Sequence, residues 1–251
     1  MKKNQSSIKK LLQGLASKKP MRSIAAITCS FETQCRLLPG SEMYKLTWIN
    51  PDDVELCIKN SKKYRLKKGK FIQGGSWDKK GTAPVNEVRP TITQTIHQLF
   101  SRKLDYTETI QYKLMNEQIR QGKTSYWCSN ARDLDTYFRI LINAYHSIRN
   151  QGFKTQDELS RTDPDAVSNK KLQQDEIQVY LGRNGQLILG RGGTHRLEIA
   201  KILGIEIIPV QIRLVHKHWA QKCFEEHRTR SLEKALHSCL HNKEEKKKRS
   251  C

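Results

Sequence analysis

Gln186-Leu-Ile-Leu-Gly190-Arg-Gly-Gly-Thr194-His195-Arg196-Leu-Glu-Ile-Ala-Lys-Ile-Leu-Gly204 sets the framework for the rest of the chain. Its first five residues predict a short buried strand, 191–194 a glycine-rich turn, and 195–203 a helix with Leu197, Ala200, Ile202 and Leu203 at inward spacing. Gly204 stops the helix, and a second strand is expected over 205–214, where Pro209 needs an edge, a bulge or a position that uses no N–H. Upstream, 176–181 predicts a strand and Arg183-Asn184-Gly185 a hairpin turn. The expected fold is α+β, with a small mixed sheet built on a strand–turn–helix–strand unit. Its chemistry is expected at the turn. A helix N-terminus offers unpaired N–H groups and a partial positive charge, and Gly192 and Gly193 let an anion approach the backbone. Gly192, Gly193 and Thr194 would supply N–H or hydroxyl donors, and Arg191, His195 and Arg196 would neutralise charge. The structural alternative is a tight turn in which Arg196 pairs with a local carboxylate.

The order Gly193-Thr194-His195-Arg196, an Ala200-centred helix, Leu203-Gly204 and Ile208-Pro209-Val210 resembles the ParB/sulfiredoxin superfamily over residues 176–215. In that superfamily a Gly-x-(Arg/His)-Arg box between strand and helix holds nucleotide phosphates. Sulfiredoxins place a nucleophilic cysteine directly before the His-Arg pair, where this chain has Thr194, so their cysteine chemistry is not expected. Partition proteins carry a Glu and two Arg in the box and a following helix-turn-helix domain; neither is evident here. The free serine kinases of the superfamily imply that such a scaffold supports ATP-dependent phosphoryl transfer, although fold alone does not assign function.

The 251 residues suffice for one sizeable core. A basic arm is expected over 1–20, a domain over 21–242 with a helical insertion at about 84–152, and a charged tail over 243–251. The net charge of +21, from 46 Lys and Arg against 25 Asp and Glu, points to polyanionic partners. Basic runs at 59–70 and 246–249 concentrate the excess. Seven cysteines, none spaced Cys-x-x-Cys, predict free thiols in a reducing compartment and no zinc ribbon. Without an apolar run of the ~18 residues a membrane span needs, the protein is expected to be soluble and cytoplasmic.

Earlier in the chain, 44–49 predicts a strand closed by Asn50-Pro51, followed by a short helix from Asp52 or Asp53 through Lys59. Gly74-Gly75-Ser76-Trp77-Asp78 forms a second informative stretch, expected beside the Gly193 turn. There Gly75 and Trp77 would line a pocket and Asp78 would bind a metal ion or accept a proton; the alternative makes Trp77 a core plug and Asp78 a turn cap. Helices are expected over 91–103, 106–120 and 131–150, the last with Leu134, Tyr137, Phe138 and Leu141 on one stripe. Beyond the second strand, His216 and His218 are candidates for the same pocket, while no residue set has metal-ligand spacing.

Two functions follow as expectations. The first is a nucleotide- or phosphate-binding protein that takes ATP or another nucleoside triphosphate with Mg2+, with Asp78 and His195 as catalytic candidates. The second is a DNA- or RNA-binding protein, with nuclease action in view, that grips backbone phosphate through its basic runs. On the first, Arg196→Ala should cost phosphate affinity at least about tenfold and leave the unliganded fold intact. On the structural alternative it should lower the melting temperature.

Overall fold

The computed structural model describes residues 31, 35, 46–60, 70–162, 176–227, 231–236 and 238–239. The strands are β1 (Leu46–Ile49), β2 (Leu56–Ile58), β3 (Ile72–Gln73), β4 (Thr82–Pro84), β5 (Ile177–Leu181), β6 (Leu187–Leu189) and β7 (Ile208–His216). They form one mixed seven-stranded sheet in the order β1-β7-β5-β6-β2-β4, with β3 added alongside β7. The helices are α1 (Trp77–Lys80), α2 (Val85–Val88), α3 (Pro90–Phe100), α4 (Ile110–Arg120), α5 (Ala131–Gln151), α6 (Gln156–Thr162), α7 (Thr194–Ile202) and α8 (Lys217–Glu226). Among the described residues no helix is long and apolar enough to cross a membrane.

The predicted central unit forms as β6, turn, α7, β7. β5 and β6 pair antiparallel through the 182–186 hairpin, where Gly185 takes φ +78°. β5 then lies parallel to β7, with a register shift between Val179 and Tyr180. Pro209 pairs with Trp48 of β1 and precedes Val210, the first β7 residue opposite β5, so only one neighbouring strand meets its missing N–H.

Two apolar clusters meet at α7. Leu197 and Ala200 pack with Val179, Leu181, Leu189, Ile212 and Trp219 against one sheet face. Ile199 joins Ile96, Met115, Leu134, Phe138 and Leu141 of α3, α4 and α5. On the opposite sheet face Trp77, Ile58, Tyr180, Ile188 and Leu214 form a smaller cluster. The helical insertion therefore packs directly on the helix that follows the glycine turn.

Local expectations fail where distant partners decide. The short helix through Lys59 is replaced by a single 3-10 turn over Pro51–Asp53, capped by the Asn50 side chain, and by strand β2. Leu56 and Cys57 pair in parallel with Ile188 and Leu189, an edge more than a hundred residues away that local propensity does not register. The thiols also differ from expectation. Cys223 on α8 and Cys239 are disulfide-bonded, whereas Cys57 and Cys128 are free thiols. Scattered spacing carries no information about which cysteines the helices bring together.

Candidate functional site

The turn between β6 and α7 lies over the start of β5. Gly190 N–H donates to Gln178 O at 2.7 Å, and the Gln178 N–H reaches Gly192 O at 3.4 Å. Gly193, at φ +86°, is the N-cap of α7, and a Cβ there would stand 2.6 Å from Ile177 Cα. The need for glycine is thus met inside the protein, by close approach of two backbones. No side chain caps the nine-residue helix. Thr194, its first residue, is 6% exposed, and its hydroxyl has no hydrogen-bond partner among the described residues. Among the described residues the Thr194 and His195 N–H groups and this hydroxyl have no acceptor.

Arg196 has an internal role. Its Nη1 is 3.3 Å from Glu176 Oε2, its Nη2 donates to Lys154 O, and its guanidinium lies 4.4 Å from the centre of the Phe153 ring. The pair is largely enclosed, with 15% and 11% side-chain exposure. Burial pulls the guanidinium below its ordinary value, and Glu176 opposes that pull. Glu176 also accepts from Gln156 N–H at 2.6 Å, so Arg196 holds the start of β5 to the segment after α5. This is the local carboxylate pair named above as the alternative to a phosphate ligand.

His195 faces the helical insertion. Its Nε2 lies 3.1 Å from the Tyr137 hydroxyl on α5 and 3.4 Å from Gln111 Oε1 on α4, and Gln111 Nε2 donates to Tyr137 at 2.7 Å. Burial pushes the imidazole down to about 4, so near pH 7 it is neutral and adds no charge to an anion site. Tyr126 lies against Tyr137 with ring centres 5.5 Å apart; it is 59% exposed and takes φ +55°, rare for a non-glycine residue. Arg89, at the start of α3, places its charge near the Cys57 thiol and the Tyr126 phenol. It has no carboxylate partner among the described residues. Cys57 pairs with Leu189, next to Gly190, which brings Arg89 toward the turn. One turn into α7, burial pushes the Glu198 carboxyl above its usual range, against the pull of Lys201.

The Gly75–Asp78 stretch lies elsewhere. It follows β3, which pairs with Val215 and His216 at the end of β7, beside the 182–186 hairpin. The length of β5, roughly 13 Å for four steps of about 3.3 Å, separates it from the Gly193 turn. The expected adjacency is therefore corrected: β3 attaches parallel to β7 and carries the loop to the opposite end. Asp78 Oδ2 accepts from Arg183 N at 2.9 Å and Nε at 2.8 Å, and Oδ1 accepts from Nη2 at 2.8 Å. Arg183 Nη2 also donates to Gly75 O. Trp77 is a core plug, 1% exposed, with its Nε1 donating to Gln73 O. His216 is buried; its Nε2 donates to Gly75 O and its Nδ1 accepts from His218 N–H, capping α8, while His218 itself is exposed. Asp78 thus clamps a loop to a hairpin and is not placed to act on a group at α7.

Burial opposes ionisation of Asp78, but the Arg183 hydrogen bonds prevail and hold the carboxyl below the ordinary 3.8. A depressed carboxylate contributes stability that is present above the unfolded value and lost as pH falls through the folded one. Asp78→Asn is expected to cost roughly 2 kcal/mol at pH 7, because Arg183 keeps some solvent contact. Denaturation followed from pH 5 to pH 2 should show a shallower loss for the variant. Equal slopes for parent and variant would show that this carboxylate does not carry the acid dependence.

Of the expected site residues, the structure brings Gly192, Gly193, Thr194 and His195 together at the helix start and leaves Arg191 exposed beside them. Arg196 turns inward, and Gly75, Trp77, Asp78 and His216 gather at the other end of the sheet. Sequence reasoning missed Arg89, Gln111, Tyr126, Tyr137 and Glu198. Tyr137 read as core, which its 2% exposure supports, and nothing in one sequence marks its hydroxyl as a partner of His195. Residues 61–69 and 240–251, which hold most of both basic runs, lie outside the described residues. Among those described, no group of three or more His, Cys, Asp or Glu side chains is placed to hold a metal ion. Comparisons with protein-family models, curated proteins and solved structures give no match.

Proposed function

We propose that this chain binds a phosphate group at the N-terminus of α7, in the manner of the ParB/sulfiredoxin proteins that its Gly193–Arg196 box resembles. The carrying observation is Thr194: a hydroxyl without a protein partner among the described residues, open to solvent on an otherwise buried residue, at the start of a helix whose N–H groups no side chain caps. An oxyanion seated on the turn would give this hydroxyl and the helix N–H groups a common acceptor. Arg191 and Arg89 are the cations nearest this point by sequence and strand register, since Arg196 and His195 do not contribute free charge. ATP or another nucleoside triphosphate with Mg2+ is the first ligand to test. Asp78 does not fit as its metal ligand or base, because Arg183 occupies both of its oxygens at the far end of β5. No phosphoryl-transfer step is assigned.

Calorimetric titration with ATP, CTP and GTP, each with Mg2+, tests the proposal. At least one is expected to bind, and Thr194→Val should weaken it about five- to tenfold, roughly 1–1.4 kcal/mol, with the melting temperature unchanged. Absence of heat and of thermal shift with every phosphate ligand removes the reading. The nucleic-acid reading is favoured by the +21 charge and by the exposed Tyr126 ring near Arg89. Under it, affinity for a single-stranded oligonucleotide falls steeply with salt, and Tyr126→Ala weakens it. Salt-independent binding, or none, counts against it.

A further inference from the structure

We infer that His195 meets the anion as a neutral hydrogen-bond donor through Nδ1–H, and that Tyr137 and Gln111 are positioning residues that hold the ring in this form. This rests on the phosphate reading and adds the chemistry of the contact. Gln111 sets the direction of these bonds, with its side-chain amide enclosed by α4 and α5. Its Nε2 can only donate, so at 2.7 Å the Tyr137 oxygen is the acceptor. The hydroxyl hydrogen of Tyr137 is then directed to His195 Nε2 at 3.1 Å. That nitrogen must carry a lone pair, and the single proton of the neutral ring resides on Nδ1. The competing contact, Nε2–H to Gln111 Oε1, is longer at 3.4 Å and leaves the Tyr137 hydrogen without an acceptor. Nδ1 has no partner among the described residues, and the half-buried ring is the second residue of an uncapped helix.

The environment keeps the ring in that state. Burial holds it near 4, and the positive end of α7 also disfavours a second proton. Tyr137 from α5 touches the ring; Tyr126 and Cys128 from the preceding loop lie beside Tyr137, Arg89 at the start of α3 lies beside Tyr126, and Arg196 and Glu198 follow on α7. Burial pushes Tyr137 up, and Cys128 up to about 11, which takes both out of the neutral range. Glu198 is the exception. Three residues after His195 and four after Thr194, on the same face of the helix, it opposes an anion whenever it is ionised. A neutral donor set of hydroxyl, imidazole N–H and backbone N–H takes up a tetrahedral oxyanion without taking up a proton.

Sulfate, which keeps its charge across the neutral range, serves as the probe. Nitrogen-15 NMR of the His195 ring should show Nδ1 protonated and Nε2 bare from pH 5 to 8. In a Glu198→Gln background, sulfate affinity should stay within about twofold over the same interval. Tyr137→Phe, which keeps the ring packing, should lose the tautomer preference and weaken sulfate about fivefold. An Nε2–H tautomer, a ring that titrates near 6.5, or affinity that climbs on acidification in the Glu198→Gln protein overturns the inference and leaves the phosphate reading standing. If neither sulfate nor phosphate binds while the spectrum shows Nδ1–H, both the donor role and the phosphate reading fall, and only the hydrogen-bond assignment survives.

Discussion

Arg196→Ala is expected to destabilise the unliganded protein by about 3 kcal/mol, because it leaves Glu176 as a nearly enclosed carboxylate without its counter-charge. The estimate sits at the low end for a broken buried pair, since the Gln156 N–H still donates to Glu176. Loss of contact with Phe153 adds to the packing cost. For a chain of this size the change corresponds to a fall in melting temperature of roughly 6–12 °C. A second variant separates charge from volume. Arg196→Met combined with Glu176→Gln removes both charges and keeps bulk, and should recover most of the loss. Thermal unfolding of the two proteins without ligand decides the matter. An Arg196→Ala protein as stable as the parent would mean that the Glu176 pair contributes nothing net and would return Arg196 to the phosphate site.

Gly193→Ala is expected to be at least as damaging, by about 3 kcal/mol or more. A left-handed backbone costs an alanine about 1 kcal/mol, and the new methyl would lie 2.6 Å from Ile177 Cα and 2.8 Å from Cγ1. The Cα belongs to strand β5, held between β6 and β7, so relief requires the turn itself to shift. Gly204→Ala is the matched control. It has φ +64° but no atom within 4 Å of the added methyl, so only the backbone cost of about 1 kcal/mol applies. If Gly193 served only to let a ligand approach, the two variants would be equally stable and differ in binding alone. Chemical denaturation of the pair reads this difference directly.

Much of this architecture is legible in one sequence where the signal is local. Asn184-Gly185 between apolar runs announced the hairpin, and Leu197, Ala200 and Gly204 announced α7. The stripe from Leu134 to Leu141 announced α5. What stayed hidden depends on contacts between distant segments. The strand register of β3 on β7 carries Asp78 away from the glycine turn, and no property of residues 70–78 encodes that register. Arg196 illustrates the same limit. Guanidinium groups at a glycine-rich turn read as phosphate ligands, yet Glu176 is twenty residues upstream, and only the folded turn brings it within reach. The Gln111–Tyr137–His195 contacts join three helices from two parts of the chain, so pattern and period leave no trace of them.

Because α7 buries Leu197 and Ala200 against the sheet and Ile199 against the helical insertion, it is the wall common to both cores. Its amides should therefore open to solvent only when the protein opens globally. The donors at its first turn then ride on one of the least mobile elements of the molecule. Should an anion bind there as proposed, its site is formed before it arrives, so association would carry little ordering cost at the helix and selectivity would come from rigid shape rather than from closure.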